Sequence, residues 1–402
     1  MAMNYGAPWW LPDGNMQTIW AALRARRFAG LAPVFQRERW TTPDGDFVDV
    51  DWLDVAPPRS LTSCSFLPPE GALRLWPGEA GSTAPAGGWM APTLPTACGS
   101  LPPEGAAPPA VWQSQSRGRN LADAGAGPLA SAPPLLVLFH GLEGSSASHY
   151  AQAFADVARS RGWSFAVPHF RGCSGEMNLA PRAYHSGDVA EIDWMLRRFA
   201  SRHHGPVLAV GVSLGGNALM RWAGELGRDA GRVVDAIASV SAPLDLAASG
   251  RAIGHGFNRQ VYTRMFLKTM VPKALQKLAQ HPGLFDRAAL LAARDLYAFD
   301  NIFTGPLHGF KDVDDYWARA SAKPHLRRIA VPALALNALN DPFIPAGSLP
   351  RHAEVSTDVT LWQPAQGGHV GFPSSGFPAH VRAMPEAVAD FLAAQLQAVA
   401  CP

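Results

Sequence analysis

The segment of the sequence that points most directly to chemistry is the pentapeptide GVSLG, residues 211–215. It follows a short apolar run, residues 207–210, and leads into a helical pattern that continues to residue 226. A serine on a sharp strand-to-helix turn is lifted above a sheet, where its hydroxyl can act as a nucleophile. The flanking glycines leave room where a Cβ atom would clash. This context predicts a nucleophilic serine at Ser213.

A serine hydroxyl needs a neighbouring base, and that base needs a third group to orient it. On strand-turn-helix sites the three residues follow in the order serine, acid, histidine. Asp341 and His369 are the candidates that we favour, because each follows a predicted strand where the strand meets a loop. Asp245 also follows a strand and is the alternative acid. We therefore predict a triad of Ser213, Asp341 and His369.

The tetrahedral intermediate of such a reaction needs two hydrogen-bond donors for its oxyanion. One donor comes from the backbone N–H that follows the nucleophile, which is that of Leu214. The second is predicted at Leu142, in the loop HGLEG (residues 140–144) after an apolar strand. His140, in the same loop, is assigned a structural role in shaping the turn.

Short apolar runs alternate with amphipathic helical segments and would position these residues. Strands are predicted at residues 47–53, 135–139, 164–167, 207–212, 236–240, 333–338 and 359–362, and helices at residues 150–161, 189–199, 214–226 and 385–398. This alternation predicts βαβ units and an α/β fold with a mostly parallel, doubly wound sheet. Residues 243–324 lack a strand pattern, and we interpret them as a helical cap over one edge of the sheet. The alternative is a helical layer packed on one face.

Residues 56–134 differ in composition from the rest of the chain, since they hold 15 of the 36 Pro and 10 of the 38 Gly. They also contain a partial repeat, with CSFLPPEGA at residues 64–72 and CGSLPPEGA at residues 98–106. We interpret this segment as a low-complexity, disordered insertion in a single domain spanning residues 1–402.

The charge balance and the absence of certain motifs argue against several classes of protein. The 34 basic and 32 acidic residues leave a net charge of +2, too little to favour binding to nucleic acid. Neither metal-ligand spacing nor a nucleotide-binding glycine motif occurs, so no metal and no cofactor are predicted. Four cysteines do not make a disulfide framework, and no apolar run is long enough for a transmembrane segment. We expect a cytoplasmic protein, with peripheral membrane contact left open.

Eight motifs together resemble the α/β-hydrolase superfamily and, within it, the YheT-like hydrolases. They are PWWL (8–11), QTIW (17–20), HGLEGSS (140–146), FRGCSGE (170–176), YHSGD (184–188), GVSLGGN (211–217), DPF (341–343) and GGHVGF (367–372). The resemblance covers the chain except for residues 56–134. It implies an esterase or lipase-like hydrolase with its triad at Ser213, Asp341 and His369, and it makes a lipid ester a plausible substrate.

The predicted function is hydrolysis of carboxylic esters with apolar or lipid-like acyl groups through an acyl-enzyme, with water as the second substrate. A serine on the strand-to-helix turn argues against the carboxylate-nucleophile chemistry of dehalogenases and epoxide hydrolases. Two alternatives remain open. One is an acyltransferase that uses the same triad, and the other is a catalytically silent scaffold that keeps the fold.

Overall fold

The computed structural model describes residues 5–54 and 132–400 of the chain. The insertion predicted over residues 56–134 therefore lies outside the described residues, apart from residues 132–134. Among the residues described, none of the helices combines the length and the apolar character that a membrane crossing requires. The cytoplasmic location stays a prediction.

An eight-stranded sheet forms the centre of the fold. Its strands are β1 (Phe35–Thr41), β2 (Phe47–Leu53), β3 (Leu135–Phe139), β4 (Ser164–Pro168), β5 (Val207–Val212), β6 (Ala236–Val240), β7 (Ala333–Leu336) and β8 (Val359–Trp362). Their spatial order is β1-β2-β4-β3-β5-β6-β7-β8. β2 pairs antiparallel with both β1 and β4, whereas the pairs from β4 to β8 are parallel. The predicted α/β-hydrolase fold with a mostly parallel sheet is confirmed.

Helices cover both faces of the sheet. They are α1 (Gly14–Leu23), α2 (His149–Ser160), α3 (Val189–Arg202), α4 (Leu214–Leu226), α5 (Leu246–Ile253), α6 (Gly256–Asn258), α7 (Arg264–Gln280), α8 (Arg287–Ala292), α9 (Leu296–Phe299), α10 (Gly305–Leu307), α11 (Val313–Ala320) and α12 (Ala383–Ala400). In β3, Leu135 and Val137 pack into the core formed with α3 and α4, while Leu136 and Leu138 pack into the core formed with α2 and α12. Successive side chains of a strand point to opposite faces, so strands buried on both faces read as continuous apolar runs.

The edge strand β1 has no counterpart among the predicted strands. Most of its residues are polar, and cross-strand ion pairs hold it to β2. Arg37 lies opposite Asp51 and Arg39 opposite Asp49, each with an N–O distance of 2.7 Å. A strand stabilised by charge pairs at a sheet edge lacks the apolar pattern that identifies the buried strands.

Residues 243–324, all of which the structure describes, contain helices α5 to α11 and no strand. Two turns in this region are π-helical, at Arg259–Thr263 and Asp300–Thr304. The second turn begins directly after α9 and, as described below, carries a carboxyl group that lines a cavity. The assignment of this region as a cap stays a prediction.

Candidate active site

Ser213 lies on the turn between β5 and α4, in a strained backbone conformation. Its φ of +52° is uncommon for a residue with a side chain. The neighbouring glycines allow this turn, because a Cβ atom on Gly211 would lie 2.4 Å from the carbonyl oxygen of Gly215. A Cβ atom on Gly215 would lie 2.5 Å from the carbonyl oxygen of Phe139, at the end of β3. The packing of α4 against the sheet therefore requires glycine at both positions.

The three residues predicted from the sequence order lie in hydrogen-bond contact. The distance from Ser213 Oγ to His369 Nε2 is 3.0 Å, and that from His369 Nδ1 to Asp341 Oδ2 is 2.9 Å. The other carboxylate oxygen of Asp341 accepts the backbone N–H of Phe343 at 2.8 Å. A carboxylate at Nδ1 favours the tautomer in which Nδ1 carries the proton, which leaves Nε2 free to accept the hydroxyl proton of Ser213.

Helix α1 holds the histidine loop in place. Thr18 Oγ1 accepts the backbone N–H of His369 at 2.8 Å, and Gln17 Oε1 accepts that of Gly367 at the same distance. Asn340, next to Asp341, donates to Gln17 Oε1 at 3.0 Å and accepts the N–H of Gly368 at 3.0 Å. The loops of the acid and of the base therefore share one hydrogen-bond network. The sequence signal was QTIW (residues 17–20), which contributed to the family resemblance but carried no assigned role.

Asp245, the alternative acid, has a different position and role. It precedes α5, where its carboxylate accepts the N–H of Ala248 at 3.0 Å as a helix cap. Ser, Thr, Asp and Asn are the residues that stabilise helix N-termini in this way. The structure therefore brings Asp341, and not Asp245, to His369.

Leu142 and Leu214, the predicted oxyanion donors, both lie in the wall of the cavity that contains Ser213. The N–H groups on either side of Leu142 are bonded to tyrosine hydroxyls, that of Gly141 to Tyr150 at 2.9 Å and that of Glu143 to Tyr184 at 3.0 Å. Within the described residues, the N–H of Leu142 has no protein partner. A Cβ atom on Gly141 would lie 3.1 Å from the Cβ atom of Ser213, so this loop passes directly beside the nucleophile.

His140 joins the loop that contains Leu142 to the backbone that follows β4. It is fully buried, with Nδ1 2.8 Å from the carbonyl oxygen of Gly141, and Nε2 accepts the N–H of Phe170 at 3.1 Å. Burial lowers the pKa of His140 to about 3, so the ring stays neutral. These contacts agree with the structural role assigned to it.

A cavity of about 150 Å³ contains Ser213 and His369 in its wall. Its lining comes from α5, α7, α9 and the π-helical turn that follows α9, and from the loop between β4 and α3. Its main apolar lining residues are Leu246, Ile253, Phe266, Met270, Phe299 and Phe303. An apolar cavity next to a nucleophile can hold the hydrocarbon part of a substrate.

Two lysines on α7 join this helix to the loops around the nucleophile. Lys273 Nζ lies 2.8 Å from Glu143 Oε2, and the other carboxylate oxygen of Glu143 accepts the hydroxyl of Tyr184 at 2.8 Å. One turn later, Lys277 Nζ donates to the carbonyl oxygens of Asn178 and Ala180 at 2.7 and 2.8 Å. Burial lowers the pKa of Lys277 to about 8. Glu143 directly follows Leu142, so α7 is tied to the predicted oxyanion loop.

Among the described residues, no group of three or more His, Cys, Asp or Glu side chains could hold a metal ion. The groups that can act are a serine hydroxyl, an imidazole, a carboxylate and backbone N–H donors. Such a set can carry out nucleophilic acyl transfer without a cofactor.

A family model described as the alpha/beta hydrolase fold matches residues 134–375, more than half of the chain. The chain belongs to the α/β hydrolase fold family. Within that family it is similar to an Escherichia coli protein named "Putative esterase YheT", with 40% identity over 67% of this chain and 79% of that protein. The resemblance to YheT-like hydrolases, inferred from the motifs, is confirmed.

Two eukaryotic relatives are less similar. The mouse protein named "Phospholipase ABHD3" is 28% identical over 67% of this chain and 65% of its own length. The Saccharomyces cerevisiae protein named "Monoacylglycerol lipase" is 31% identical over 60% of this chain and 55% of its own length. The match therefore spans less than two thirds of either eukaryotic relative.

Proposed function

We propose that this protein is a serine hydrolase that cleaves carboxylic esters with apolar acyl groups. The observation that carries the proposal is the continuous hydrogen-bond chain from Ser213 through His369 to Asp341, which opens on an apolar cavity. The names esterase, phospholipase and monoacylglycerol lipase among the relatives support ester cleavage.

In the first half of the reaction, Ser213 Oγ attacks the carbonyl carbon of the ester while His369 Nε2 accepts the hydroxyl proton. Asp341 holds the imidazole through Nδ1 and stabilises its protonated form. The carbonyl oxygen becomes an oxyanion, which the N–H groups of Leu142 and Leu214 bind. His369 then donates its proton to the alcohol oxygen, and the C–O bond breaks to leave an acyl-enzyme.

In the second half, His369 accepts a proton from water, and the hydroxide attacks the acyl carbon. The same two N–H groups bind the second oxyanion. His369 returns the proton to Ser213 Oγ as the carboxylic acid leaves. Apart from water, both halves use the same residues, of which Ser213, His369 and Asp341 are joined by the hydrogen bonds described above.

A series of p-nitrophenyl esters tests the proposed acyl specificity. We expect kcat/KM to rise severalfold per methylene from the acetyl ester upward until the chain fills the cavity, because each buried methylene contributes about 0.8 kcal/mol. The measurement is the initial rate of p-nitrophenol release at each chain length. Highest activity on the acetyl ester would contradict an apolar acyl site.

The nature of the acceptor separates hydrolysis from acyl transfer. With glycerol added to the same reaction, we expect the free acid to stay the main product. Chromatography of the products measures the partition between acid and glyceride. Preferential formation of the glyceride would identify an acyltransferase that uses the same triad.

The ion pair between Lys273 and Glu143 predicts an effect of Lys273 on catalysis. Replacing Lys273 with Met is expected to lower kcat by about 10-fold to 100-fold and to change KM less, because the Glu143 carboxylate loses the cation that holds the oxyanion loop. Removing a complete oxyanion donor costs about 100-fold to 1,000-fold, so displacing its loop is expected to cost less. Steady-state kinetics on the preferred ester measures both constants.

Two controls separate this positioning role from a general loss of charge. Lys268→Met changes an exposed lysine of the same helix and is expected to keep wild-type kinetics. In a Glu143→Gln background, Lys273→Met is expected to cost less, because the ion pair is already broken. Equal effects in both backgrounds would refute the proposed link between α7 and the loop.

A further inference from the structure

Asp300 is a carboxyl group in the cavity wall that the triad mechanism does not use. It begins the π-helical turn Asp300–Thr304. Thr304 Oγ1 donates to Asp300 Oδ1 at 2.7 Å, and Trp317 Nε1 donates to Asp300 Oδ2 at 2.9 Å. Both donors are neutral, and no cation of the described residues forms an ion pair with Asp300. Single-turn π-helices occur frequently at functional sites.

The environment of Asp300 leaves part of its hydrogen-bonding capacity unused. An ionised carboxylate offers about four acceptor positions, and the two protein donors occupy two of them. Burial raises the pKa of Asp300 to about 6, although the bonds from Thr304 and Trp317 act in the opposite direction. A ligand that donates a hydrogen bond inside the cavity would therefore stabilise a carboxylate that the protein itself pairs incompletely.

Ser249 is a second polar group in the same wall. Its hydroxyl is buried and has no hydrogen-bond partner within the described residues. Buried polar atoms without a partner are uncommon in folded proteins, so each one calls for an explanation. A ligand hydrogen bond would satisfy this hydroxyl.

The indole of Trp317 contacts Asp300 and also Gly250, the chain neighbour of Ser249. A Cβ atom on Gly250, the neighbour of Ser249, would lie 2.4 Å from Cη2 of Trp317. The Nε1–H of the same indole donates to Asp300. Helix α5 and the π-helical turn therefore both contact this ring, and Ser249 and Asp300 both line the cavity.

We propose that Ser249 and Asp300 form a subsite for a hydroxyl group of the substrate. A hydroxyl can donate to the carboxylate and accept from Ser249 at the same time, whereas an ammonium ion offers no acceptor atom. The substrate is then an ester that carries a hydroxyl group away from the bond that is cleaved. The subsite rests on the proposed ester hydrolysis, because it recognises part of the same substrate.

The hydroxyl can belong to the acyl chain or to the alcohol, and two pairs of esters distinguish these sources. p-Nitrophenyl 8-hydroxyoctanoate is compared with p-nitrophenyl octanoate, and monooctanoylglycerol is compared with methyl octanoate. We expect wild-type kcat/KM to favour the hydroxylated ester at least about tenfold in one pair, because a site built to bond a hydroxyl rejects the analogue that lacks it. No preference in either pair would overturn the subsite.

Two substitutions and a matched control test the residues. Ser249→Ala and Asp300→Asn are each expected to reduce the preference toward unity. Ser239→Ala removes another buried hydroxyl that has no partner among the described residues, but Ser239 lies on β6 and does not line the cavity. This variant is expected to keep the wild-type preference. A preference that survives both Ser249→Ala and Asp300→Asn would overturn the proposal, as would a stronger preference for p-nitrophenyl 8-aminooctanoate.

A binding measurement separates failure of the subsite from failure of the proposed function. Ser213→Ala protein is titrated calorimetrically with both members of each pair. Tighter binding of the hydroxylated ester without turnover by the wild-type protein would refute ester hydrolysis and retain the subsite. Equal binding of both members would overturn the subsite whatever the wild-type protein hydrolyses.

Discussion

Replacing Ser213 with Ala is expected to lower ester hydrolysis by at least about 10⁴-fold, since an alanine offers no nucleophile for the acyl-enzyme. The same substitution is expected to abolish covalent labelling by a fluorophosphonate probe, which reacts with a serine that a neighbouring base activates. His369 Nε2, 3.0 Å from Ser213 Oγ, is that base in the proposed mechanism. Gel fluorescence after labelling, together with initial rates, measures both effects.

Ser186→Ala is the matched control for this experiment, because Ser186 lines the same cavity. We expect this variant to label like the wild-type protein. Circular dichroism of each variant establishes that the fold is retained. Equal labelling of wild type and Ser213→Ala, or labelling of neither, would overturn the assignment of the nucleophile and favour a silent scaffold.

Replacing Asp341 with Asn is expected to lower kcat by about 10³-fold to 10⁴-fold. The Asp341 side chain is completely buried and bonded to both His369 and the N–H of Phe343, so the amide fits the same space. An amide nitrogen at Nδ1 would favour the tautomer with its proton on Nε2, and that ring cannot accept the proton of Ser213. Steady-state kinetics of the purified variant checks this result.

Asp245→Asn distinguishes the two carboxylates that the sequence allowed. Asp245 caps α5, and Asn caps a helix about as well as Asp does. We therefore expect near wild-type kinetics and a change of less than about 1 kcal/mol in the free energy of unfolding. If instead Asp245→Asn lost the activity and Asp341→Asn kept it, the acid of the triad would be Asp245.

The predicted strand bounds agree with the structure where a strand has a clear apolar pattern in the sequence. β3, β5 and β6 have the predicted bounds, because strands buried on both faces leave an uninterrupted apolar run. β7 ends at Leu336, two residues before the predicted end, as the chain turns toward Asp341. β1 was missed because its pairing depends on charges supplied by β2, and a single strand does not show its partner.

The prediction of the nucleophile rests on a different kind of signal. The turn at Ser213 is a steric property of a few adjacent residues, so its glycine spacing is visible in the sequence. The network that holds His369 joins residues of α1 to a loop much later in the chain. Thr18 and His369, which are in contact, are 351 positions apart. No spacing within either segment indicates that contact.

The sequence by itself determined the nucleophile candidate, the order of its partners and the buried strands, because each depends on short-range sterics or on the periodicity of one element. Only the tertiary structure decided which carboxylate lies beside His369, and it brought Lys273 of α7 to Glu143 of the oxyanion loop. The same holds for the cavity wall in which Ser249 and Asp300 lie. These are contacts between segments far apart in the chain, and their energies depend on burial and distance that exist only once the chain has folded.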